Sequence, residues 1–370
     1  MRGIEGLRGA RKRRNRRRKG QGVGDQVWQL VDSSTIGGIE THVGVLAAAL
    51  RRAGWDAQVV LLADHGPNPW LAQLDARGVP HTVLAGGLGG LLAVLRRERP
   101  ALLHTHGYKA GILGRLAARL SGTPCVSTFH AGERGPFPVS LYQTLDAWTS
   151  VLAPRIAVSA PIARNLPFGA EVIGNFVPVP AAPPPAGARP DVVGFVGRFS
   201  PEKGPDLFCA IAERCRDTGL AFEAFGDGPM RAELEVRYRG IVTFNGLVTD
   251  PSRIWPRLGL LLMPSRAEGL PLAAIEAMAA GIPVAASAVG ALPDVVTPGG
   301  NGWLFPPGDI EAAAGAVRAF AGLSPDARAA FVQAAWQAAR QGYAVDVLLP
   351  KVCAVYAAAG VVPPSAPAGT

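Results

Sequence analysis

Residues Val177 to Pro190 read VPVPAAPPPAGARP, and the same texture appears on both sides of that stretch: short apolar runs alternating with amphipathic ones. Proline fixes φ and removes a backbone donor, so this stretch suits neither helix nor sheet interior and reads as a stiff linker. Upstream, Val27–Val31 (VWQLV), Ala57–Ala63, Ala101–His106 (ALLHTH) and the run PCVSTFH read as strands. Between them, His42–Arg52, Trp70–Arg77 and Ala110–Leu120 read as helices. Downstream, DVVGFVGRF restarts the alternation, and AFEAFG, IVTFNG, LGLLLMP and IPVAAS continue it. Strands separated by helices pair in parallel through right-handed crossovers and leave a sheet covered on both faces. The expected fold class is therefore α/β in two domains, 23–177 and 191–344, joined by the linker 178–190. A last helix, about 345–358, carries Leu348, Val352 and Tyr356 on one stripe. Pro350 marks its first turn or a kink.

Charge separates the body from its start. Residues 1–20 hold ten Lys/Arg and one Glu, so 21–370 hold 27 basic and 27 acidic side chains of the chain's 37 and 28. A neutral body argues against a nucleic-acid-binding protein, whose domain would carry a net basic face. Residues 1–22 form a basic tail whose repelling charges have nothing apolar to bury, so it is expected to be disordered. Three readings of it stay open: attraction to an anionic membrane, an inert or non-specific nucleic-acid-binding tail, or a start codon placed too early, with translation beginning at Val23 or Val27. The four cysteines are far apart and match neither a zinc site nor a disulfide framework, as in a reduced cytosolic protein. The apolar stretch Leu270–Leu292 is interrupted by Glu276 and glycines and is not a membrane span.

The most informative segment is MPSRAEGLPLAAIEAMAAGIPV, Met263 to Val284. A buried strand leads into the SRAEG loop, Pro271 opens a helix, and Gly281 stops it. Glu268 falls in the loop at the cleft mouth, and Glu276 about one and a half turns into the helix, slightly deeper. The free N–H groups of Gly269 to Ala273, Pro271 having none, lie between them at the positive helix end, an arrangement suited to a phosphate flanked by hydroxyls. A plain capping Glu followed by a solvated one would give the same spacing. In GFVGRFSPEKGPDL, Arg198 and Lys203 follow a strand and suit a diphosphate clamp, or merely a solvated basic loop. Gly37 and Gly38 separate the first strand from the first helix and would let a ligand approach the backbone. His104 and His106 share one face of a strand; with no third ligand evident, no metal site is expected.

These features, in this order, resemble the retaining GT-B glycosyltransferases of the glycosyl transferases group 1 class (glycosyltransferase family 4). The matching residues are the GGIE loop, GRFSPEKG, GDGP at Gly226–Pro229, the Glu268–Glu276 segment, HTHGYKAGILGRLAARLSG, and IAVSAPIARNL ahead of Asn175. The resemblance covers about residues 25–358. It implies two Rossmann-like domains around an inter-domain cleft, the first binding acceptor and the second a nucleotide-sugar donor, with the last helix crossing back onto the first domain. It implies that Arg198 and Lys203 hold the donor diphosphate, and that Glu276 takes the ribose hydroxyls. Glu268 would face the transferred sugar, with Gly269 and Leu270 positioning sugar and phosphate. Asn245, Gly246 and Leu247 would line the base pocket, Gly37 and Gly38 would lie beneath the diphosphate, and His106 would face the sugar from the acceptor side.

The activity implied is transfer of a hexosyl-type sugar from a UDP- or GDP-sugar to an acceptor hydroxyl, with retention and without a metal or other cofactor. The class points to envelope or extracellular glycan synthesis, including lipopolysaccharide, on a glycan or lipid-linked acceptor. It also points to a cytoplasmic location with peripheral contact at the inner membrane face. A sugar-nucleotide 2-epimerase on the same architecture and a non-catalytic binding module for glycan or nucleic acid are the alternatives. Three departures stand out: Phe176 follows Asn175 where the class usually has Gly, the first strand begins late, after the basic tail, and Ala131–Trp148 matches no expected element.

Overall fold

A computed structural model describes residues 26–130, 137–185, 190–248, 250–362 and 364. The basic tail 1–22, the start position Val23 and part of the linker lie outside the described residues. Seven parallel strands form the first sheet: β1 (Gln26–Val31), β2 (Asp56–Leu61), β3 (His81–Val83), β4 (Leu102–His106), β5 (Cys125–Phe129), β6 (Arg155–Ala157) and β7 (Glu171–Val172). Their order is β3-β2-β1-β4-β5-β6-β7. The second sheet contains β8 (Val192–Val196), β9 (Ala221–Phe225), β10 (Val242–Gly246), β11 (Leu260–Met263), β12 (Val284–Ser287) and β13 (Gly302–Phe305), ordered β10-β9-β8-β11-β12-β13. All pairings are parallel. The two-domain α/β expectation holds.

Strands β4, β5, β11 and β12 are buried along their whole length, as helices on both faces require. Polar residues inside them must therefore find partners. Thr105 Oγ1 meets Ser127 Oγ at 2.7 Å, and Arg115 Nη1 donates to the same Ser127 at 3.0 Å. Arg115, 1% exposed, reaches on to Asp146 Oδ1 at 2.6 Å. That pair fixes the helix Val139–Thr149 inside the stretch that the sequence left unassigned. The helix forecast from His42 begins earlier, at Gly38, because Gly37 takes the extended N-cap conformation. The strand forecast to Ala63 ends at Leu61.

The two crossings between domains run side by side. Val177 N–H donates to Tyr343 O at 3.0 Å, and Val345 N–H returns to Val177 O at 3.2 Å. The helix Val345–Ala358, with Pro350 inside it, then packs Leu348, Val352 and Tyr356 into the first domain's core beside Leu46, Leu50 and Trp55.

Beside this crossing, buried Asn175 donates from Nδ2 to the carbonyl of Leu270 at 2.7 Å and so ties the first domain to the loop after β11. Phe176 is wholly buried, its ring centroid 5.2 Å from that of His42. Asn175→Ala leaves the Leu270 carbonyl unpaired; the expected cost is about 1–3 kcal/mol. A thermal melt reads this as a fall of several degrees.

Candidate active site

In doubly wound sheets a ligand crevice forms at the carboxyl ends of the strands where the winding direction reverses. Here that reversal lies between β1 and β4 in the first sheet and between β8 and β11 in the second. The carboxyl ends of those four strands and the segments that follow them carry Gly37 and Gly38, His106, Arg198 with Lys203, and Glu268. Loops from the two sheets also meet. A Cβ on Gly269 would come within 2.7 Å of the His130 carbonyl, and one on Gly174 within 3.1 Å of Leu270.

On the second domain, Lys203 Nζ lies 2.6 Å from Glu268 Oε2, and Ser265 Oγ donates to Glu268 Oε1 at 2.8 Å. Glu268 is 7% exposed, so this cation compensates a buried carboxylate. Gly290 backs the loop at φ +58°, where a Cβ would stand 2.0 Å from the Glu268 carbonyl; only glycine fits. In the GDGP turn, Gly226 at φ +134° lies against the Gly197 carbonyl and supports the loop that carries Arg198. Arg198 itself is exposed and acts through space on Glu202.

Glu276 is the fifth residue of the helix Leu272–Ala279, as its spacing required. By solvent exposure the expected depths are reversed, Glu268 being buried and Glu276 half-buried: Ser265 bonds the loop carboxylate and Gly290 lets the chain close against the Glu268 backbone. Burial pushes Glu276 up to about 7, with the Arg77 guanidinium of the first domain pulling it down. Asn245 donates to Glu223 Oε2 at 3.2 Å, and Glu223 also holds Arg257 at 2.7 Å. Gly246 ends β10 at φ +71°, and Leu247 beyond it is 54% exposed.

On the first domain, Gly37 caps the helix Gly38–Arg52, and the space a Cβ would take at Gly38 is open. His106 ends β4 but is 1% exposed, with both ring nitrogens engaged: Nε2 to Gln29 Oε1 at 2.8 Å and Nδ1 to His130 Nε2 at 3.1 Å. His104 lies behind it, between Tyr356 Oη at 2.8 Å and Thr128 Oγ1 at 2.7 Å.

The sequence reading missed His42 and His130. Ring nitrogens of His42, His106 and His130 lie within 4.8 Å of one another. Burial, reinforced by the neighbouring rings, holds His106 and His130 well below the ordinary imidazole range, and burial alone holds His42 at about 4. No spacing signal joins these three residues; only the shared carboxyl edge of β4 and β5 and the start of the first helix bring them together.

A cavity of about 740 Å³ opens in front of this cluster. It is lined by first-domain residues that include Asp32, His106, Lys109, His130, Trp148 and Arg164. Asp32 is hydrogen-bonded to Lys109 and His65 at 2.8 Å each; although burial opposes it, these two partners hold its carboxyl below the usual range. Polar groups converging at the base of a concave site are what a small polyhydroxylated ligand needs.

Comparison with known proteins gives a consistent answer. Residues 190–321 match the family model described as glycosyl transferases group 1, and 37–166 match the glycosyl transferase 4-like domain; together they cover more than half of the chain. The chain is 31% identical over 362 residues to a phosphatidyl-myo-inositol mannosyltransferase of Mycobacterium leprae, spanning 86% of this chain and 92% of that one. It is 32% identical over 279 residues to a 2-deoxystreptamine N-acetyl-D-glucosaminyltransferase of Streptomyces fradiae, spanning 64% of this chain and 66% of that protein, just under two thirds of its length. Among solved structures, Anabaena HepE in complex with UDP-glucose superposes with a TM-score of 0.78 at 21% identity, covering 90% of this chain and all of the other.

Proposed function

The chain belongs to the glycosyl transferases group 1 family with GT-B architecture, and on that premise we propose that it transfers a hexosyl-type sugar from a UDP- or GDP-sugar to an acceptor hydroxyl with retention of configuration. The observation that carries this reading is the Lys203–Glu268 pair at the loop leading into the Glu276 helix. In this reading Lys203 and Arg198 neutralise the charge that grows on the leaving diphosphate, so the step calls on no divalent ion. Gly269 and Leu270 position sugar and phosphate, Gly37 and Gly38 lie beneath the diphosphate, and Asn245, Gly246 and Leu247 border the base. Glu276 accepts the two ribose hydroxyls. Each oxygen of Glu268 is already held, Oε2 by Lys203 and Oε1 by Ser265, which makes it a poorer nucleophile. A front-face path, in which a leaving phosphate oxygen takes the acceptor proton, fits that constraint. His106 lines the acceptor-side cavity, but with both ring nitrogens engaged it has none free for the sugar.

The acceptor we propose is lipid-linked, in envelope glycan synthesis. Leu141, Tyr142, Leu145, Trp148 and Phe168 are all at least 40% exposed, and Trp148 also lines the cavity. A polar pocket beside an apolar face suits an amphiphile whose head enters and whose tail stays outside. Such an acceptor places the enzyme at the inner face of a membrane; no helix among the described residues is long and apolar enough to cross one.

A panel of nucleotide sugars screened by thermal shift tests the donor assignment. One base-and-sugar combination is expected to raise the melting temperature by several degrees over the others. Chromatography of that donor without acceptor should show at most slow release of free nucleotide; a new sugar nucleotide would identify an epimerase instead.

A further inference from the structure

Two loops of the second domain are fastened together beside the Lys203–Glu268 pair, and Arg266 is the fastener. One loop follows β8 and runs from Arg198 to Gly204; the other follows β11 and runs from Pro264 to Glu268. Their backbones touch at two places. Glu202 O accepts from Arg266 N–H at 2.8 Å and from Ala267 N–H at 3.3 Å. Gly204 lies so close to Pro264 that a Cβ would stand 2.2 Å from the Pro264 carbonyl oxygen. The Arg266 side chain then closes the join. Its Nη1 donates to Pro201 O at 2.8 Å and to Asp206 Oδ1 at 2.9 Å, and its Nη2 to Asp206 Oδ2 at 2.6 Å. A planar fork that meets both oxygens of one carboxylate fixes direction as well as distance. Asp206 lies in the first turn of the helix Pro205–Arg214, so the fork ties the second loop to a regular element.

The clamp sits a short tether away from the pair on both chains. Arg266 precedes Glu268 by two residues, and Asp206 follows Lys203 by three. With those points fixed, the backbones that carry the pair cannot drift apart, and Lys203 Nζ stays 2.6 Å from Glu268 Oε2. We propose that Arg266 is a positioning residue for transfer, holding the two loops in register so that Lys203 is already in place for the leaving diphosphate. The effect on rate rests on the glycosyltransferase reading; the clamp on Lys203 does not. The Arg266 bond, outweighing the burial that opposes it, holds the Asp206 carboxyl below the usual range, so both partners stay charged at neutral pH. Their side chains are 42% and 34% exposed, so solvent screens the pair and the fold depends little on it. Charge on the diphosphate grows only as the bond to the sugar breaks, so a displaced Lys203 costs turnover more than donor binding.

The test uses the full chain and two readouts. The first is UDP release from the selected UDP-sugar. Arg266→Ala is expected to lower kcat about 10- to 30-fold with the donor KM within about twofold, since a misplacement near 1 Å costs up to about 10²-fold. Because Arg266 acts through Lys203, Lys203→Ala combined with Arg266→Ala should stay within about threefold of Lys203→Ala alone. The second readout needs no turnover. The chain has five lysines, so 1H–13C spectra of 13C-lysine-labelled protein resolve Lys203, assigned through Lys203→Ala. In Arg266→Ala its Hε–Cε signal is expected to move toward the position of a solvated lysine. A Lys203 signal unmoved in Arg266→Ala, an unchanged kcat, or two losses that multiply in the double variant would each overturn the proposal. Should Arg266→Ala fail to fold, Arg266→Lys, which keeps the cation and loses the fork, gives the same readouts with smaller changes. If the Lys203 signal moves as stated but the wild-type chain turns over no donor, the glycosyltransferase reading fails and the clamp stands.

Discussion

Lys203→Ala is expected to lower sugar transfer by about 10³-fold, the upper end of what one charge-stabilising group supplies. Two losses combine. The leaving diphosphate loses the cation nearest to the Glu268 loop, and Glu268 loses the ammonium held 2.6 Å from its Oε2. A carboxylate 7% exposed without its counter-ion is costly, but Lys203 is 32% exposed, so solvent screens the pair and the cost stays below the about 3–5 kcal/mol of a fully buried one. The variant should therefore melt earlier as well as work more slowly. The two effects share one residue and are not additive, but they can be separated. Adding Glu268→Gln to Lys203→Ala removes the stranded charge and is expected to restore most of the melting temperature and none of the activity. UDP release from the selected donor, read beside thermal melts of the single and double variants, measures both. Donor affinity unchanged in Lys203→Ala would remove Lys203 from the clamp.

The difference between what the sequence revealed and what it hid has a physical basis. The Glu268–Glu276 segment is local: strand, loop and helix follow one another within a few turns of chain, so spacing alone places the carboxylates. The alternating strands and the proline-rich crossing are local in the same sense. The helix Val139–Thr149 was illegible because its anchor is not. Its buried Asp146 is held by Arg115 from the helix Tyr108–Ser121, and its outer face keeps Leu141, Leu145 and Trp148 exposed, so no apolar stripe marks an inward side. His42, His106 and His130 are far apart in sequence and meet only when the first helix packs across the ends of β4 and β5. The reversed depth of the two glutamates also depends on a distant residue, Gly290, whose bare Cα lets the chain close against the Glu268 backbone.

Nucleotide binding is expected to depend on pH through Glu276. Burial pushes its carboxyl up to about 7, against the pull of Arg77. A ribose diol donates two hydrogen bonds and so prefers the ionised acceptor. Binding must then expel the proton wherever the free protein carries one. The sign follows: above the free-state value affinity is on a plateau, and below it affinity falls as the free carboxyl becomes protonated. Between pH 8 and pH 6 the dissociation constant of a UDP-sugar is expected to rise about tenfold, one decade per unit below the raised value. A UDP-sugar is the right probe because its diphosphate, esterified at both ends, does not titrate in that window. Calorimetry in two buffers of different ionisation enthalpy should show net proton release near pH 6.5. Glu276→Gln, which keeps the shape and removes the charge, should weaken binding about 10- to 100-fold at pH 8, the loss of hydrogen bonds to a charged group. At pH 6 its deficit should be much smaller, because the wild-type carboxyl is then mostly protonated, and its pH profile should be flat. A steep profile retained in Glu276→Gln would move the titrating group elsewhere and remove Glu276 from the ribose.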